Sequence, residues 1–349
     1  MVQTRQWVLT NRPDGRPVID GPNATFTLKD AETGPVKDDH ILVKTLYLSN
    51  DPAQRGWLSK MEDPSRLYVP PVQEGEVMRA RGLAEVVESA SSKFKKGDVV
   101  IATTGWAEKI VLPANQVQPA PQLPGGLNAT HYLGALGLTG LTAWGGLTQI
   151  ARAAPEDVVV ISGAAGATGS MAVQIAKKLI GCKRVIGIAG SDKKCSWVKS
   201  LGADECLNYK SPSFAADLKK ATPDFANVYF DNVGGEILDL MLTRMAKHGR
   251  VAACGAISNY NSSGDSITGL KNWFEVISMR IKLEGFIVMD FADKWAEAIE
   301  LFKKGVEDGR LTVTGENEHI VETKFEDVPA TWMLLFEGAN QGKLVTHIQ

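Results

Sequence analysis

From Val158 onward, short apolar runs alternate with amphipathic stretches, and this rhythm constrains the fold more than any other feature of the chain. Strand-like runs fall at 158–162, 184–189, 227–231, 250–254 and 283–288. Helical patterns fill the gaps at 169–180, 193–201, 214–221, 235–247 and 270–279. The runs at 158–161 and 184–188 are almost continuously apolar, as strands covered on both faces must be. Connections long enough to hold a helix make consecutive strands parallel, so this half predicts a doubly wound α/β sheet. Upstream the texture is different. Runs at 41–48, 84–88, 98–102 and 106–112 are separated by Gly and Pro turns, which predicts a small, mostly antiparallel β-rich domain. The Leu/Gly/Ala-rich stretch 132–150 reads as packed helices between the two. A helix over 292–304 precedes a tail at 324–337 and 343–348 that is expected to return to the first domain. The expected division is 1–130, completed by 315–349, and 131–314.

The first strand of the repeat runs into Ser162-Gly163-Ala164-Ala165-Gly166-Ala167-Thr168-Gly169. This is a G-x-G-x-x-G dinucleotide turn with Ala164 in the first glycine position. Gly166 lets the backbone approach a pyrophosphate, Gly169 lets the helix pack against the strand, and the helix start offers N–H groups to the phosphates. About 20 residues further on, an Asp or Glu would bind the ribose 2′-hydroxyl of NAD. Here the second strand ends in Gly190-Ser191-Asp192-Lys193-Lys194. A small hydroxyl and two lysines suit a 2′-phosphate and favour NADPH, while Asp192 leaves a ribose contact and NADH open. Two later strands end in Asp231-Asn232-Val233-Gly234-Gly235 and in Cys254-Gly255-Ala256-Ile257-Ser258-Asn259-Tyr260. Both place polar groups at a carboxyl edge of the sheet, where ligands bind in such folds.

Other classes are disfavoured. With 38 Lys+Arg against 40 Asp+Glu, the formal net charge of −2 gives no field for nucleic acid or a membrane surface. No apolar run approaches the ~20 residues of a membrane span. The start of the chain shows no secretory pattern, and the four cysteines are unpaired in spacing, so a cytoplasmic protein is expected. The five histidines are scattered and no Cys precedes Cys182, which supports neither catalytic nor structural zinc. No Tyr is followed four positions later by Lys, and no G-x-S-x-G occurs.

Assembled, these residues resemble the zinc-independent branch of the medium-chain dehydrogenase/reductase superfamily, the prostaglandin reductases and alkenal double-bond reductases. The likeness covers nearly the whole chain. It rests on Ser49-Asn50-Asp51-Pro52-Ala53-Gln54-Arg55, Gly75-Glu76-Val77-Met78, Leu141-Thr142-Ala143-Trp144, the glycine turn, the Gly190 to Lys194 string, Asn208-Tyr209-Lys210, the Asp231 and Cys254 strings, and Gly338-Ala339-Asn340-Gln341-Gly342-Lys343. The resemblance implies a GroES-like catalytic domain with a Rossmann domain that binds NADPH. It implies that Gly166, Ala167, Thr168 and Gly169 hold the pyrophosphate, and that Ser191, Lys194 and Tyr209 surround the 2′-phosphate. Asn232, Cys254, Gly255, Ala256, Ile257, Ser258 and Tyr260 would line the cofactor. Phe286, Ile287 and Val288 would meet the nicotinamide amide through backbone groups, with Asn340 nearby. The implied reaction is hydride transfer to the β-carbon of an α,β-unsaturated aldehyde or ketone, the enolate being stabilised by Tyr260 and a cofactor ribose hydroxyl. A homodimer is the implied assembly.

Ala53, Leu138, Thr139 and Trp144 depart from the family strings, which bears on substrate preference rather than on cofactor binding. The polar segment 258–271 reads as a substrate lid. A quinone oxidoreductase on the same fold is the nearest alternative. An alcohol dehydrogenase is disfavoured by the missing zinc ligands, and a non-catalytic NADPH-binding protein by the Tyr260 loop and Asn340.

Overall fold

The computed structural model describes residues 1–60, 63–263 and 269–349. The chain forms two units, 1–133 with 319–349, and 134–318. Part of the segment read as a lid, 264–268, lies outside the described residues.

The first unit begins with β1 (Gln3–Leu9) and β2 (Phe26–Glu32), which pair antiparallel as a separate two-stranded sheet. It continues through β3 (His40–Ser49), β4 (Arg81–Ser89), β5 (Val99–Thr103), β6 (Lys109–Pro113) and β7 (Gln118–Pro119). The second unit opens with α1 (Leu138–Gly145), which runs on through a π-helical turn to Ile150. Alternation follows: β8 (Val158–Ile161), α2 (Ala167–Gln174), β9 (Arg184–Ala189), α3 (Asp192–Ser200), β10 (Glu205–Asn208), α4 (Phe214–Ala221), β11 (Ala226–Asp231), α5 (Gly235–Leu242), β12 (Met245–Ala253), α6 (Phe274–Ser278), β13 (Lys282–Gly285) and α7 (Trp295–Glu307). The chain then returns through β14 (Glu318–Thr323), α8 (Val328–Glu337) and β15 (Lys343–Ile348).

The parallel sheet has the order β10-β9-β8-β11-β12-β13. The chain therefore winds outward one way from β8, then crosses back to β11 and winds the other way. This is the Rossmann order, and it puts the ligand edge where β8 and β11 lie side by side. The pair is registered Val228↔Val159 through Phe230↔Ile161. Both faces are covered, and Val160, Ile186, Ile188, Tyr229, Leu242 and Val251 are buried in one core.

Three differences from the sequence reading have local causes. The helix expected to reach 247 stops at Leu242, because the backbone from Met245 pairs with Ala226 as the start of β12. β10 is absent from the sequence reading: its four residues, Glu-Cys-Leu-Asn, show no apolar alternation and lie at a sheet edge. β13 ends at Gly285, so Phe286 to Val288 are not strand. The long pairing of β1 with β2 also has no local signature, since the two strands are far apart in sequence.

In the first unit the returning tail is built into the larger sheet, ordered β14-β15-β3-β4-β5-β7 with β6 also on β3. Its core packs Phe26 tilted against Trp106 at 4.8 Å between ring centroids, and Trp106 edge-on to Trp332 at 5.8 Å. The Ser49 to Arg55 string serves this unit structurally. Asp51 starts a 3₁₀ turn over Pro52–Leu58, and its N–H donates to the Gln54 side chain at 2.7 Å. Buried Arg55 donates to the carbonyl of Gly15 at 2.6 Å. Buried Lys343 donates to the Asn50 carbonyl at 2.9 Å and to the Asp51 carboxylate at 2.5 Å, joining β15 to the end of β3. Among the described residues, no helix is long and apolar enough to cross a membrane.

Candidate cofactor and active site

Three loops leave the carboxyl ends of β8, β11 and β12, and a single buried carboxylate organises them. Asp231 closes β11 with 1 % exposure. One of its oxygens, Oδ1, accepts from Ser162 Oγ (3.0 Å), Tyr229 Oη (2.8 Å), Val233 N (3.0 Å) and Gly234 N (3.0 Å). A charge this deep is tolerable only with such a donor set. Burial pushes the Tyr229 phenol well above its ordinary range, and the adjacent carboxylate adds to the shift, so Tyr229 stays a donor. The backbone carbonyl of Asp231 accepts from Cys254 N at 2.8 Å and Gly255 N at 3.0 Å, tying in the loop after β12. Asn232 ties in the loop after β8, donating from Nδ2 to the Ser162 carbonyl at 2.7 Å.

The glycine turn follows Ser162. A Cβ on Gly169 would lie 2.2 Å from the Gly163 carbonyl oxygen and 2.8 Å from Ala164 Cα, so the start of α2 can approach the turn only with glycine there. Gly166 is less confined: a Cβ would lie 3.2 Å from the same oxygen. Ala164 is wholly buried, and a Cβ on Gly187 would come within 3.0 Å of its methyl. The lost glycine in the turn is thus matched by a glycine on β9. No side chain caps α2 at Gly166, so the N–H groups of Ala167 and Thr168 present its positive end to an anion.

At the next strand end, Ser191 caps α3 by accepting from Lys194 N at 3.3 Å. Gly190 makes room for the Tyr209 ring, which a Cβ would approach to 3.1 Å. Asp192 accepts from Asn208 Nδ2 at 2.9 Å. That bond engages one oxygen of the acid that could face a ribose. Lys194 is partly buried, and its ammonium is pushed down by that burial and by the charge of Lys210. Two cations held near each other in this way are stabilised by a doubly charged anion.

Tyr260 follows a 3₁₀ turn over Ile257–Asn259. Its hydroxyl oxygen accepts from Ala256 N at 3.2 Å, and a Cβ on Gly255 would lie 3.1 Å from it. Ser258 Oγ donates to the Val233 carbonyl at 2.6 Å, fastening this loop to the one after β11. Burial, with Asp231 adding, pushes the Cys254 thiol up to about 12, so it stays neutral.

The other expected contacts are less directly arranged. Phe286 packs edge-on to Phe230 at 6.2 Å between centroids. Ile287 N donates to Asp290 at 3.2 Å, and the Val288 carbonyl accepts from the Trp295 indole at 3.2 Å, so these backbone groups already have local partners. Asn340 belongs to the first unit, where its amide donates to the Gly342 carbonyl at 2.8 Å. The role of Ser162 in fixing Asp231 was not visible in sequence, since its approach depends on β8 and β11 being neighbours.

Comparison with known proteins agrees with this geometry. Residues 5–120 match a family described as the N-terminal domain of oxidoreductase, and 167–304 match one described as zinc-binding dehydrogenase. Prostaglandin reductase 1 of Bos taurus is 36% identical over 348 residues, covering 99% of both chains. The NADP(+)-dependent 2-alkenal reductase of Nicotiana tabacum is 35% identical, covering 99% of this chain and 98% of its own. The crystal structure of CurA in complex with NADPH from Vibrio vulnificus superposes with a TM-score of 0.87 at 32% identity, covering 99% of both. The chain is an oxidoreductase of the medium-chain dehydrogenase/reductase superfamily. Within it, the chain belongs to the family of prostaglandin reductases and NADP-dependent 2-alkenal reductases. One matched description names zinc. Among the described residues no group of three or more His, Cys, Asp or Glu side chains could hold a metal ion.

Replacing Asp231 by Ala leaves buried donors on three sides without an acceptor. The expected loss is about 3–5 kcal/mol of unfolding free energy in urea, together with weakened NADPH binding. A loss below about 1 kcal/mol would show that the loops do not depend on this carboxylate.

Proposed function

We propose that the protein reduces the carbon–carbon double bond of α,β-unsaturated aldehydes and ketones, using NADPH. The observation that carries this reading is the presence, at the carboxyl edge of one sheet, of the uncapped start of α2 and the loop-held hydroxyl of Tyr260, with Lys194 at the next strand end feeling the charge of Lys210. The names of the relatives support the same chemistry. When bound, NADPH supplies the hydride that goes to the substrate's β-carbon.

The chain's own residues do the rest. The backbone of Gly166, Ala167, Thr168 and Gly169 receives the pyrophosphate at the dipole end of α2. Lys194 and Tyr209 bind the 2′-phosphate beside Ser191. Asn232 and the run from Cys254 to Ser258 line the cofactor, with Phe286, Ile287 and Val288 assigned to the nicotinamide end. As hydride arrives, negative charge develops on the carbonyl oxygen. The Tyr260 hydroxyl donates to it, alongside the cofactor's ribose hydroxyl. The N–H bond that the phenol oxygen accepts from Ala256 strengthens it as a donor and fixes its position. The α-carbon then takes a proton from water.

We also infer a homodimer formed at the β13 edge. This strand ends the parallel sheet, and Leu283 on it and Trp273, Phe274 and Ile277 just before it are exposed. A second copy pairing along the same edge covers this apolar row and extends the sheet. Light scattering is expected to give twice the chain mass, and Phe274→Asp to shift the protein towards monomer. A monomeric wild type at micromolar concentration would remove this inference.

The chemistry is tested by incubating the protein and NADPH with 2-alkenals, enones, quinones and simple aldehydes, then identifying products by mass and NMR. Saturated aldehydes or ketones are expected. Allylic alcohols would mean carbonyl reduction and overturn the proposal, and turnover of quinones alone would replace it with quinone reduction. Tyr260→Phe is expected to lower kcat about 100-fold while NADPH affinity changes less than about twofold. Lys194→Ala is expected to raise the Kd for NADPH roughly 10- to 100-fold and to leave NADH nearly unchanged. Equal losses for both cofactors would remove Lys194 from the phosphate site.

A further inference from the structure

Two thiols lie against each other behind the proposed 2′-phosphate pocket. Cys206 sits on β10 directly opposite Gly187 of β9. The missing side chain at 187 leaves a gap: a Cβ there would lie 3.1 Å from Cys206 Sγ and 2.7 Å from Val198 Cγ1. Val198 is on α3, one turn after Cys195, so the two buried residues share the face of that helix that packs towards β9 and β10. The interaction between the two thiols draws Cys195 below the ordinary thiol range, and together with burial it holds Cys206 well above that range. The remaining cysteines differ: burial with a nearby carboxylate pushes Cys182 up to about 11 and Cys254 up to about 12.

We propose that Cys195 and Cys206 form a reversible disulfide on exposure to hydroperoxides, and that closing it weakens the binding of NADPH. The Cys195 thiolate attacks a peroxide oxygen, the O–O bond breaks, and the departing oxygen leaves as water or alcohol. Cys195 is then a sulfenic acid. The Cys206 sulfur displaces its oxygen, which leaves as water with the remaining thiol proton. Two electrons pass from the sulfur pair to the peroxide, and an external thiol returns them.

The coupling rests on the cofactor assignment above. Cys195 directly follows Lys194, and Cys206 lies three residues before Tyr209. A disulfide requires the two Cβ atoms to lie about 3.5–4.5 Å apart, so closure fixes the spacing of α3, which carries Lys194, against β10, which leads into Tyr209. By linkage, NADPH held between those two residues opposes closure by the same factor.

The test is a peroxide titration of the full chain with and without saturating NADPH, read by thiol counting, intact mass, peptide mapping and NADPH affinity. Two of the four thiols should disappear with the loss of two hydrogens, and mapping should join Cys195 to Cys206. The Kd for NADPH should rise about fivefold or more and recover with dithiothreitol, and bound NADPH should slow closure. Cys195→Ala and Cys206→Ala should each retain NADPH binding and abolish the peroxide response, while Cys182→Ala should keep it. No link between these two residues, or an unchanged Kd in the linked protein, overturns the proposal. A fully reduced protein that fails to bind NADPH would overturn the cofactor assignment and the coupling with it, leaving the cross-link measurement to judge the disulfide alone.

Discussion

The carboxylate of Asp231 is the constraint on which the ligand edge depends. A buried charge must collect donors, and the donors within reach belong to different elements: Ser162 from the end of β8, Tyr229 from β11 itself, and the backbone of the turn beyond it. Satisfying the charge therefore sets the distance between two strands that are remote in sequence. The same residue's carbonyl holds the loop that carries Tyr260. A stable interior and a shaped site here come from one set of hydrogen bonds, so the edge is rigid before any ligand arrives.

Charge is used in the opposite sense at the neighbouring strand end. There Lys194 and Lys210 are held near one another, and Asp192 is engaged by Asn208. The charge of Lys210 and burial both disfavour the Lys194 ammonium, and under the proposed function a doubly charged phosphate offsets that cost. The Cys195–Cys206 contact lies just behind this pair. Lys194 and Cys195 are adjacent on α3 and Cys206 is on β10, so both proposals depend on the packing of α3 on β10. In the first unit, buried Lys343 plays a simpler part, fastening the last strand to the third through Asn50 and Asp51.

Much of this was legible in the chain. The helices at 214–221 and the strands at 184–189 and 343–348 follow the apolar pattern residue for residue. The glycine turn, the Ser191 and Lys194 strand end and the Tyr260 loop were recognisable because their residue types serve local backbone needs: a close approach, a helix cap, a tight turn. What escaped was non-local. β10 has too few residues and too mixed a polarity to announce itself, and β1 pairs with β2 only across a long connection. The glycine at 187 reads as an ordinary interruption of an apolar strand until Ala164, Val198 and Cys206 are seen around it.

The sequence by itself determined the alternation of strand and helix and the position of the glycine turn, because hydrophobic period and glycine placement act over a few residues at a time. Only the tertiary structure decided which polar groups become partners. Ser162 meets Asp231, Asn208 meets Asp192, and Cys195 meets Cys206 across loops and helices. Those meetings depend on strand order and register, which long-range packing alone selects.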